Sequence, residues 1–337
     1  MLSFKIVYSE RYYLPIGEHV FPGEKYRRIH QHLLDSGVAG DDDFISPQPA
    51  SDRDVLLVHG GQYVYKLQTG TLSAREELQM EIPFSKELVE AFWLAAGGSI
   101  LAGQRALEDG VSINLGGGFH HAFPDHGEGF CMINDIAIAI RRLQRDKKIQ
   151  RALVVDCDVH QGNGTAAIFG HSRSMVQAAQ GLPSTADATV TRNQHGWLRQ
   201  LPPDDGLDVF TISLHQENNY PAWKAFSTID VNLPDGATDE QYLAWLDNAL
   251  SSAFRDFQPE LISYVAGADP FCEDQLGGLA MTLDGLKQRD EFVFRLAKSR
   301  GIPIMVTLAG GYAADVEDTI TIHSNTVRAA KEIFARH

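Results

Sequence analysis

Two carboxylates and an imidazole alternate in the run Asp156-Cys157-Asp158-Val159-His160, directly after an apolar stretch. Because the side chains of an extended strand point alternately to its two faces, Asp156, Asp158 and His160 are expected on the same side. Carboxylate oxygen and imidazole nitrogen are donors that Zn²⁺ and similar divalent ions take in proteins. The run therefore predicts a metal site, and the alternative is an Asp-rich turn capped by the histidine.

A histidine pair, His120 and His121, follows three consecutive glycines at 116–118. Glycine accepts positive φ and lets the backbone come close to a ligand. A single histidine is more often an interior packing residue, but imidazole is the side chain best suited to proton transfer near pH 7. Two of them after a glycine turn predict an acid–base site.

Asp269 and Tyr312 end two further apolar runs, LISYVAGADP and IPIMVTLAGGY. A buried carboxylate is costly unless it is paired or bound to a metal, so Asp269 is a candidate third ligand beside Asp158 and His160. Such a triad leaves coordination positions for water and substrate, as in catalytic zinc sites. The Tyr312 phenol is either a core aromatic or a donor to a developing oxyanion.

Short apolar runs that read as strands carry these residues and alternate with amphipathic helical patterns. Strands are predicted at 112–115, 152–156, 208–214, 261–266 and 303–308, and helices at 87–107, after Asn134, after Thr238, at 283–299 and at 316–335. The strands are apolar almost throughout, as expected when both faces of a sheet are covered. The alternation predicts one α/β domain, 1–337, with a mostly parallel central sheet and helices on both faces.

The segment at about 171–206 interrupts this alternation. It is rich in Ser, Thr, Asn, Asp, Gln and Pro, and a connection of this length is functional, disordered or an inserted subdomain. Since it follows a helix and precedes a strand, we expect it at the amino-terminal edge of the sheet, away from the carboxyl strand ends where ligands bind. We therefore predict a surface or subunit-contact insertion rather than a lid over the site.

Composition argues against several classes of protein. Among 337 residues, 29 basic and 44 acidic side chains give a formal charge of −15, which argues against nucleic-acid binding. The three cysteines form no CxxC pair, which predicts reduced thiols and a cytoplasmic location. No apolar run reaches the roughly 18 to 20 residues that a membrane span needs, and the first residues read as a strand rather than a signal peptide. An acidic exterior favours cationic substrates by steering.

Six motifs occur in order along almost the whole chain: GGGFHHA, GFCMINDIAIA, VVDCDVHQGNGT, SLH, AGADPFCEDQLGGLAMT and LAGGY. Together they resemble the zinc-dependent histone deacetylase superfamily, whose members have the arginase/deacetylase fold. The stretches INLGGGFHHA, HQGNG and DQLGGLAMTLDGLKQRDEFVFR are most similar to class IV histone deacetylases and bacterial histone deacetylase-like amidohydrolases. The resemblance implies deacylase chemistry.

The resemblance implies a role for each polar residue named above. Asp158, His160 and Asp269 correspond to the ligands of one Zn²⁺ per chain, with Fe²⁺ as an alternative in the cell. By the same resemblance, His121 would be the general base and later the acid, and His120 would be its electrostatic partner. Asp156 would hold His120 in place, and Tyr312 would donate a hydrogen bond to the oxyanion.

The resemblance also implies two binding features around this centre. The acyl-lysine tunnel would be lined by Gly129 and Phe130, with Tyr220 as the opposing aromatic and Leu276 at its floor or rim. A structural monovalent cation, usually K⁺, would be held by Asp156 and by the backbone around Asp158, His160, Ser213 and Leu214. Neither feature is indicated by residue spacing alone.

Asn163 stands where some members of the superfamily place an acid as the partner of His121. A neutral amide orients the imidazole but does not stabilise the imidazolium as a carboxylate does. We therefore predict a lower pKa for His121 than in acid-partnered relatives. Other subgroups also carry Asn here, so the residue is compatible with activity.

The residues and the resemblance together predict a zinc-dependent amidohydrolase that removes an acetyl or longer fatty acyl group from the ε-amine of lysine in a protein or peptide. The substrate alternative is an acetylpolyamine or another small N-acyl amine. A dinuclear manganese ureohydrolase is a rival on the same fold; it needs further Asp ligands, whereas GADP at 267–270 holds a lone Asp. A non-catalytic acyl-lysine-binding protein is the rival outside the enzymes.

Overall fold

The computed structural model describes residues 1–170, 189–193, 195–200 and 208–335. Its strands are β1 (Ile6–Val7), β2 (Phe44–Ile45), β3 (Val111–Asn114), β4 (Ala152–Asp156), β5 (Thr189–Asn193), β6 (Gly196–Gln200), β7 (Val209–Gln216), β8 (Ile229–Leu233), β9 (Leu261–Val265) and β10 (Ile304–Thr307). Its helices are α1 (Lys25–Asp35), α2 (Asp52–Val55), α3 (Gly61–Thr69), α4 (Ala74–Met80), α5 (Lys86–Asp109), α6 (Asp135–Arg145), α7 (Asn163–Phe169), α8 (Asp239–Asp256), α9 (Leu283–Arg300) and α10 (Val316–Phe334).

These strands form one sheet in the order β2-β1-β3-β10-β9-β4-β7-β8-β6-β5. Neighbours from β2 to β8 are parallel, whereas β6 is antiparallel to β8 and β5 is antiparallel to β6. Helix α5 packs against α6, and α9 packs against α10. The prediction of a single α/β domain with a mostly parallel sheet is confirmed.

The four strands that precede the candidate residues, β3, β10, β9 and β4, are consecutive in the sheet although they are far apart in the chain. All their residues are buried, because both faces of the sheet are covered. Thr307 lies opposite both Asn114 and Val265, and Val265 lies opposite Asp156. The strands therefore end side by side, and the loops that follow meet at one edge.

The helix starts follow from side-chain capping. Asn134, before α6, and Thr282, before α9, each accept a hydrogen bond from the backbone N–H three residues further on, at 2.9 Å in both cases. At the start of α8, Gln241 reaches back to accept from the backbone N–H of Thr238 at 3.1 Å. The predicted helices are present as α5, α6, α8, α9 and α10.

The predicted insertion at about 171–206 is described only in part: 171–188, 194 and 201–206 lie outside the described residues. The described part forms β5 and β6, and β6 extends the sheet beyond β8. Strand β6 is antiparallel to β8, with Trp197 opposite Asn232 and Gln200 opposite Ile229, so the described part of the segment runs along β8 and does not lie wholly at the expected amino-terminal edge. A subunit-contact role and the assignment of 1–337 as one catalytic domain stay predictions.

None of the helices within the described ranges is both long and apolar enough to cross a bilayer. All three cysteines are free thiols, with Cys131 and Cys157 buried and Cys272 exposed. Burial raises the pKa of Cys131 well above its usual value and that of Cys157 to about 12. The two buried thiols are therefore protonated and unreactive at neutral pH.

Candidate active site

Asp158, His160 and Asp269 converge where β4 and β9 end. All three side chains are buried, and Nδ1 of His160 lies 3.1 Å from Oδ1 of Asp158 and 3.2 Å from Oδ2 of Asp269. The backbone N–H of Val159 donates to Asp269 at 2.8 Å, which ties the two loops together. The structure thus brings the three predicted ligands into one cluster.

The donor atoms of this cluster fit a divalent metal. Two atoms that are each about 2.0–2.2 Å from a tetrahedral zinc stand roughly 3.4 Å apart, close to the spacing found around His160. Within the described residues, this is the one group of three or more His, Cys, Asp or Glu side chains whose donor atoms converge in this way. Three protein ligands leave a coordination position open, as catalytic zinc sites do.

The charges of the cluster also suit a cation. Burial opposes protonation of His160, but hydrogen bonds to Asp158 and Asp269 raise its pKa to about 10. Burial raises the pKa of Asp269 to about 7, and the charge of Asp158 adds to this effect. Buried carboxylates this close need a positive charge between them. A bound divalent ion would provide that charge, with His160 as a neutral ligand.

A buried carboxylate organises the turn that carries the histidine pair. Asp135, the first residue of α6, accepts hydrogen bonds from the backbone of Gly118 at 3.0 Å and of Phe119 at 2.7 Å. Gly118 has φ +89°, and a Cβ there would lie 2.6 Å from Cα of Ala309, so only glycine fits. Sequence reasoning missed Asp135; an acid directly after a helix N-cap is the signal that points to it.

The two histidines have different partners on Nδ1. His120 lies 2.7 Å from Oδ2 of Asp156, and His121 lies 2.7 Å from Oδ1 of Asn163. Burial would lower the pKa of His120, but the carboxylates around it, Asp156 foremost, raise it to about 9. Burial, followed by the charge of His120, lowers the pKa of His121 well below its usual value. The pair therefore holds one charged and one neutral imidazole, and His121 is the one able to accept a proton.

Tyr312 follows β10 on a loop that two buried groups hold. Asp274 accepts a hydrogen bond from the backbone N–H of Tyr312 at 2.7 Å, and Lys25 donates to the carbonyl of Ala309, whose φ is +54°. Lys25 is fully buried, with Nζ 4.6 Å from the centre of the Phe21 ring. Sequence reasoning missed Lys25, because a lysine at the start of a helix normally indicates a solvent-exposed position.

The Tyr312 hydroxyl is placed to donate a hydrogen bond. Its ring centre is 6.4 Å from that of His160. Burial, followed by the charges of Asp158 and Asp269, raises the pKa of Tyr312 well above its usual value, so the hydroxyl stays protonated at working pH. None of the described residues forms a hydrogen bond with this hydroxyl, which leaves it available to a substrate.

A narrow passage leads to the cluster. Gly129 and Phe130 line it, and the ring of Tyr220 stands 5.1 Å from that of His121 at 89°. Gly129 has φ +51°, and a Cβ there would lie 2.8 Å from Cδ2 of His121 and 2.9 Å from Cε1 of Tyr220. Any side chain at position 129 would close this side of the passage.

Leu276 is connected to this passage indirectly. It is half-buried and is not among the residues that line the cavity. Its carbonyl accepts from Nδ2 of Asn219 at 2.7 Å, and Oδ1 of Asn219 accepts from the backbone of Tyr220 at 2.7 Å. The tunnel role of Leu276 stays a prediction.

The residues predicted for a monovalent cation gather where β4 and β7 end. Asp156 lies opposite Ser213 in the register, and Leu214 follows in β7. Oδ1 of Asp156 accepts from the backbone N–H of Asp158 at 3.2 Å. Asp156 thus contacts both the histidine pair and the metal-ligand loop.

Arg289 lies behind the metal-ligand loops and is fully buried. Its Nη1 donates to the carbonyls of Cys157 at 3.2 Å and Gly267 at 2.7 Å, each within two residues of a candidate ligand. Its charge is paired with Asp290 at 2.8 Å. The sequence analysis did not identify this pair. What indicates its burial is that both residues lie between Leu286 and Val293 on the apolar face of α9.

A parallel α/β sheet whose carboxyl edge carries a buried Asp-His-Asp cluster, a histidine pair and a tyrosine is an architecture suited to metal-dependent hydrolysis. Residues 19–327 match the family model described as histone deacetylase domain. An uncharacterised protein of Picosynechococcus sp. is 37% identical over 334 residues, covering 99% of this chain and 100% of that protein. Histone deacetylase 2 of Arabidopsis thaliana is 32% identical over 320 residues, covering 91% of this chain and 74% of that protein. The chain belongs to the histone deacetylase family and is a hydrolase of that family.

Solved structures agree at the level of the fold. An HDAC homologue from Aquifex aeolicus superposes with a TM-score of 0.72 at 24% identity, covering 99% of this chain and 84% of that one. An HDAC homologue complexed with SAHA gives a TM-score of 0.73 at 23% identity, with the same coverage. The predicted family and fold are confirmed, and membership of class IV stays a prediction.

Proposed function

We propose that the protein is a Zn²⁺-dependent amidohydrolase that removes an acetyl or longer fatty acyl group from the ε-amine of lysine in a protein or peptide. The observation that carries the proposal is a buried Asp-His-Asp cluster, a neutral histidine and a buried tyrosine at the end of one narrow passage. An amide resists hydrolysis because its carbonyl is weakly electrophilic and its amine is a poor leaving group. A metal held by the cluster and the tyrosine hydroxyl would make the carbonyl more electrophilic. The histidine would protonate the amine as it leaves.

Asp158, His160 and Asp269 would hold one metal per chain, with Fe²⁺ as the alternative to Zn²⁺ in the cell. When bound, the metal supplies Lewis-acid polarisation of the acyl carbonyl and makes water more acidic. The mixed oxygen and nitrogen donors of this cluster suit either ion.

The protein's own groups move the protons. Nε2 of His121 accepts a proton from the attacking water while Nδ1 stays bonded to Asn163, and it returns that proton to the lysine amine as the C–N bond breaks. The charged His120, paired with Asp156, stabilises negative charge on the substrate. Tyr312 donates its hydroxyl hydrogen to the carbonyl oxygen as that atom becomes negative.

The passage would select the substrate by shape. Gly129 and Phe130, which line the passage, and Tyr220, whose ring lies 5.1 Å from that of His121, would enclose the unbranched stem of an acyl-lysine, with Leu276 at the floor or rim. A K⁺ ion would have a structural role where β4 and β7 end. Its proposed ligands are the side chain of Asp156 and the backbone around Asp158, His160, Ser213 and Leu214.

We also propose a cytoplasmic protein that has no nucleic-acid partner. The formal charge of −15 supports the second point, and three free cysteines support the first. The same negative charge keeps an acetylpolyamine as the alternative substrate, because it steers cations towards the protein.

Metal analysis combined with a substrate panel tests the proposal. The panel consists of lysine peptides and polyamines with acyl groups from C2 to C14, and free acid is measured after zinc loading, after chelation and after re-addition of zinc. We expect one zinc per chain and peptide deacylation that a chelator abolishes. Faster release from polyamines would select the alternative substrate. Two manganese ions per chain would favour a ureohydrolase, and binding without release would favour a non-catalytic binder.

A further inference from the structure

Glu128 is a partly buried carboxylate whose Oε2 lies 3.5 Å from Nε2 of His126. Its Oε1 accepts a hydrogen bond from Nδ2 of Asn163 at 2.7 Å. The same carboxylate accepts from Nε2 of Gln79 at 3.3 Å. Asn163 bonds His121 through its other atom, Oδ1, at 2.7 Å. A chain of hydrogen bonds therefore runs from the carboxylate through the amide to the imidazole.

The carboxylate is ionised, which fixes the direction of these bonds. Burial opposes its ionisation, but hydrogen bonds from His126 and Asn163 lower the pKa of Glu128. An ionised carboxylate only accepts hydrogen bonds, so Asn163 has to present Nδ2 to it and Oδ1 to the imidazole. The amide oxygen also only accepts, so Nδ1 of His121 has to carry the ring proton. Nε2 is then left as the basic nitrogen.

We propose that Glu128 is a positioning residue for hydrolysis: it sets the orientation of Asn163 and thereby selects the His121 tautomer whose Nε2 can accept a proton. The use of that nitrogen as a base rests on the proposed function, but the selection of the tautomer does not. Without the carboxylate, the amide can rotate and present Nδ2 to the ring. That orientation favours the opposite tautomer, in which Nε2 already carries the proton.

The expected effect of losing Glu128 is partial, because a second group also holds the amide. The backbone N–H of Gly164 donates to Oδ1 of Asn163 at 3.1 Å. Mutation of a group that orients a metal-ligating histidine costs about 10- to 100-fold in activity, and we take this range as the upper bound for the indirect contact of Glu128 with His121. We therefore expect Glu128→Leu to lower kcat about tenfold, at the lower end of that range.

Histidine-ring ¹⁵N NMR of the zinc-loaded protein tests the tautomer directly. The signals that disappear in His121→Gln identify this residue. The wild type should show the Nδ1–H form, and Glu128→Leu should show the Nε2–H form as well. Glu128→Gln, whose amide oxygen still accepts from Asn163, should keep mostly the Nδ1–H form. An unchanged Nδ1–H tautomer in folded Glu128→Leu overturns the proposal, and Glu128→Ala repeats the measurement if the leucine variant does not fold.

A double-mutant cycle tests whether Glu128 acts through Asn163. On the preferred peptide, Glu128→Leu should lower kcat with KM nearly unchanged, and it should have no further effect in an Asn163→Leu background. The same fold-loss in both backgrounds overturns the proposal. Glu81→Gln is the matched control: burial, followed by the charge of nearby Glu128, raises the pKa of Glu81, yet Glu81 is outside the hydrogen-bond chain.

Glu81→Gln should keep both the tautomer and kcat at wild-type values. A loss as large as that of Glu128→Leu would assign the effect to the negative charge of the rim and overturn the proposal. If the zinc-loaded wild type hydrolyses no member of the panel, the proposed function fails. The NMR measurement still decides the tautomer in that case.

Discussion

Replacing Tyr312 with Phe removes one hydroxyl from the proposed site and little else. The Tyr312 ring centre stands 6.0 Å from both Phe21 and Phe130, and its backbone N–H is bonded to Asp274. None of these contacts involves the hydroxyl, which forms no hydrogen bond with any described residue. We therefore expect Tyr312→Phe to keep the fold, the passage and the metal-ligand loops.

The size of the effect follows from the role of the hydroxyl. Loss of one oxyanion donor costs about 2.7 to 4 kcal/mol, which corresponds to a 10²- to 10³-fold fall in kcat. Burial and nearby carboxylates hold the pKa of Tyr312 far above neutrality, so the loss should not vary with pH in the working range. Because the hydroxyl acts mainly in the transition state, KM should change by less than about threefold.

Release of free acid from an acylated peptide measures this effect, with metal content determined on each sample. Tyr26→Phe is the matched control: the Tyr26 ring lies 6.3 Å from Phe21 in the same aromatic group, and its buried hydroxyl has no partner among the described residues. The control should keep the wild-type kcat. A fully metal-loaded Tyr312→Phe protein that loses less than about tenfold in kcat would refute the oxyanion role.

Three further predictions concern stability and access. Arg289→Met leaves its carboxylate partner buried and unpaired, and should lower the free energy of unfolding by about 3 to 5 kcal/mol in a denaturant titration. Arg295→Met, at an exposed position of the same helix, should change it by less than about 0.5 kcal/mol; similar losses would contradict the role of the buried pair. Gly129→Ala should lower kcat/KM about 10- to 100-fold, whereas Gly37→Ala, at a similar positive φ in open space, should leave it unchanged; equal activities would show that the passage is wider than described. Burial lowers the pKa of His59 to about 4, so the unfolded chain binds its proton first and stability falls as pH drops from 6.5 to 4, by up to about 3 kcal/mol. His59→Gln should lose that part of the acid sensitivity, and an unchanged pH profile of unfolding would exclude the residue as its source.

Much of the architecture is predictable because it depends on local patterns. The strands β4, β9 and β10 are runs of apolar residues bounded by polar ones, and the helices α6 and α9 start at side chains that cap free backbone N–H groups. The segment at 171–206 is different, because it is rich in polar residues and its apolar residues show neither the spacing of a helix nor that of a strand. Pairing of β6 with β8 depends on an exposed sheet edge that no local pattern reveals.

In the candidate site, too, some residues are predictable from local sequence and others only from the fold. Asp158 and His160 are two residues apart, so the sequence alone places them close together, although they lie in the bend that follows β4 rather than in the strand. Glu128 lies in a loop that resembles any solvated acidic turn, and only the fold places its carboxylate 2.7 Å from Asn163. Lys25 likewise reads as a surface residue, yet the packing of α1 buries it against the Tyr312 loop.

The sequence by itself determined which residue types stand at the ends of four strands, and through their order it determined the family. Tertiary structure alone decided that β3, β10, β9 and β4 lie side by side, because strand order depends on contacts between segments that are distant in the chain, such as β3 (Val111–Asn114) and β10 (Ile304–Thr307). It also decided the protonation of the histidine pair. The two imidazoles differ in pKa, raised for His120 and lowered for His121, because burial acts on both while only His120 faces a carboxylate on Nδ1.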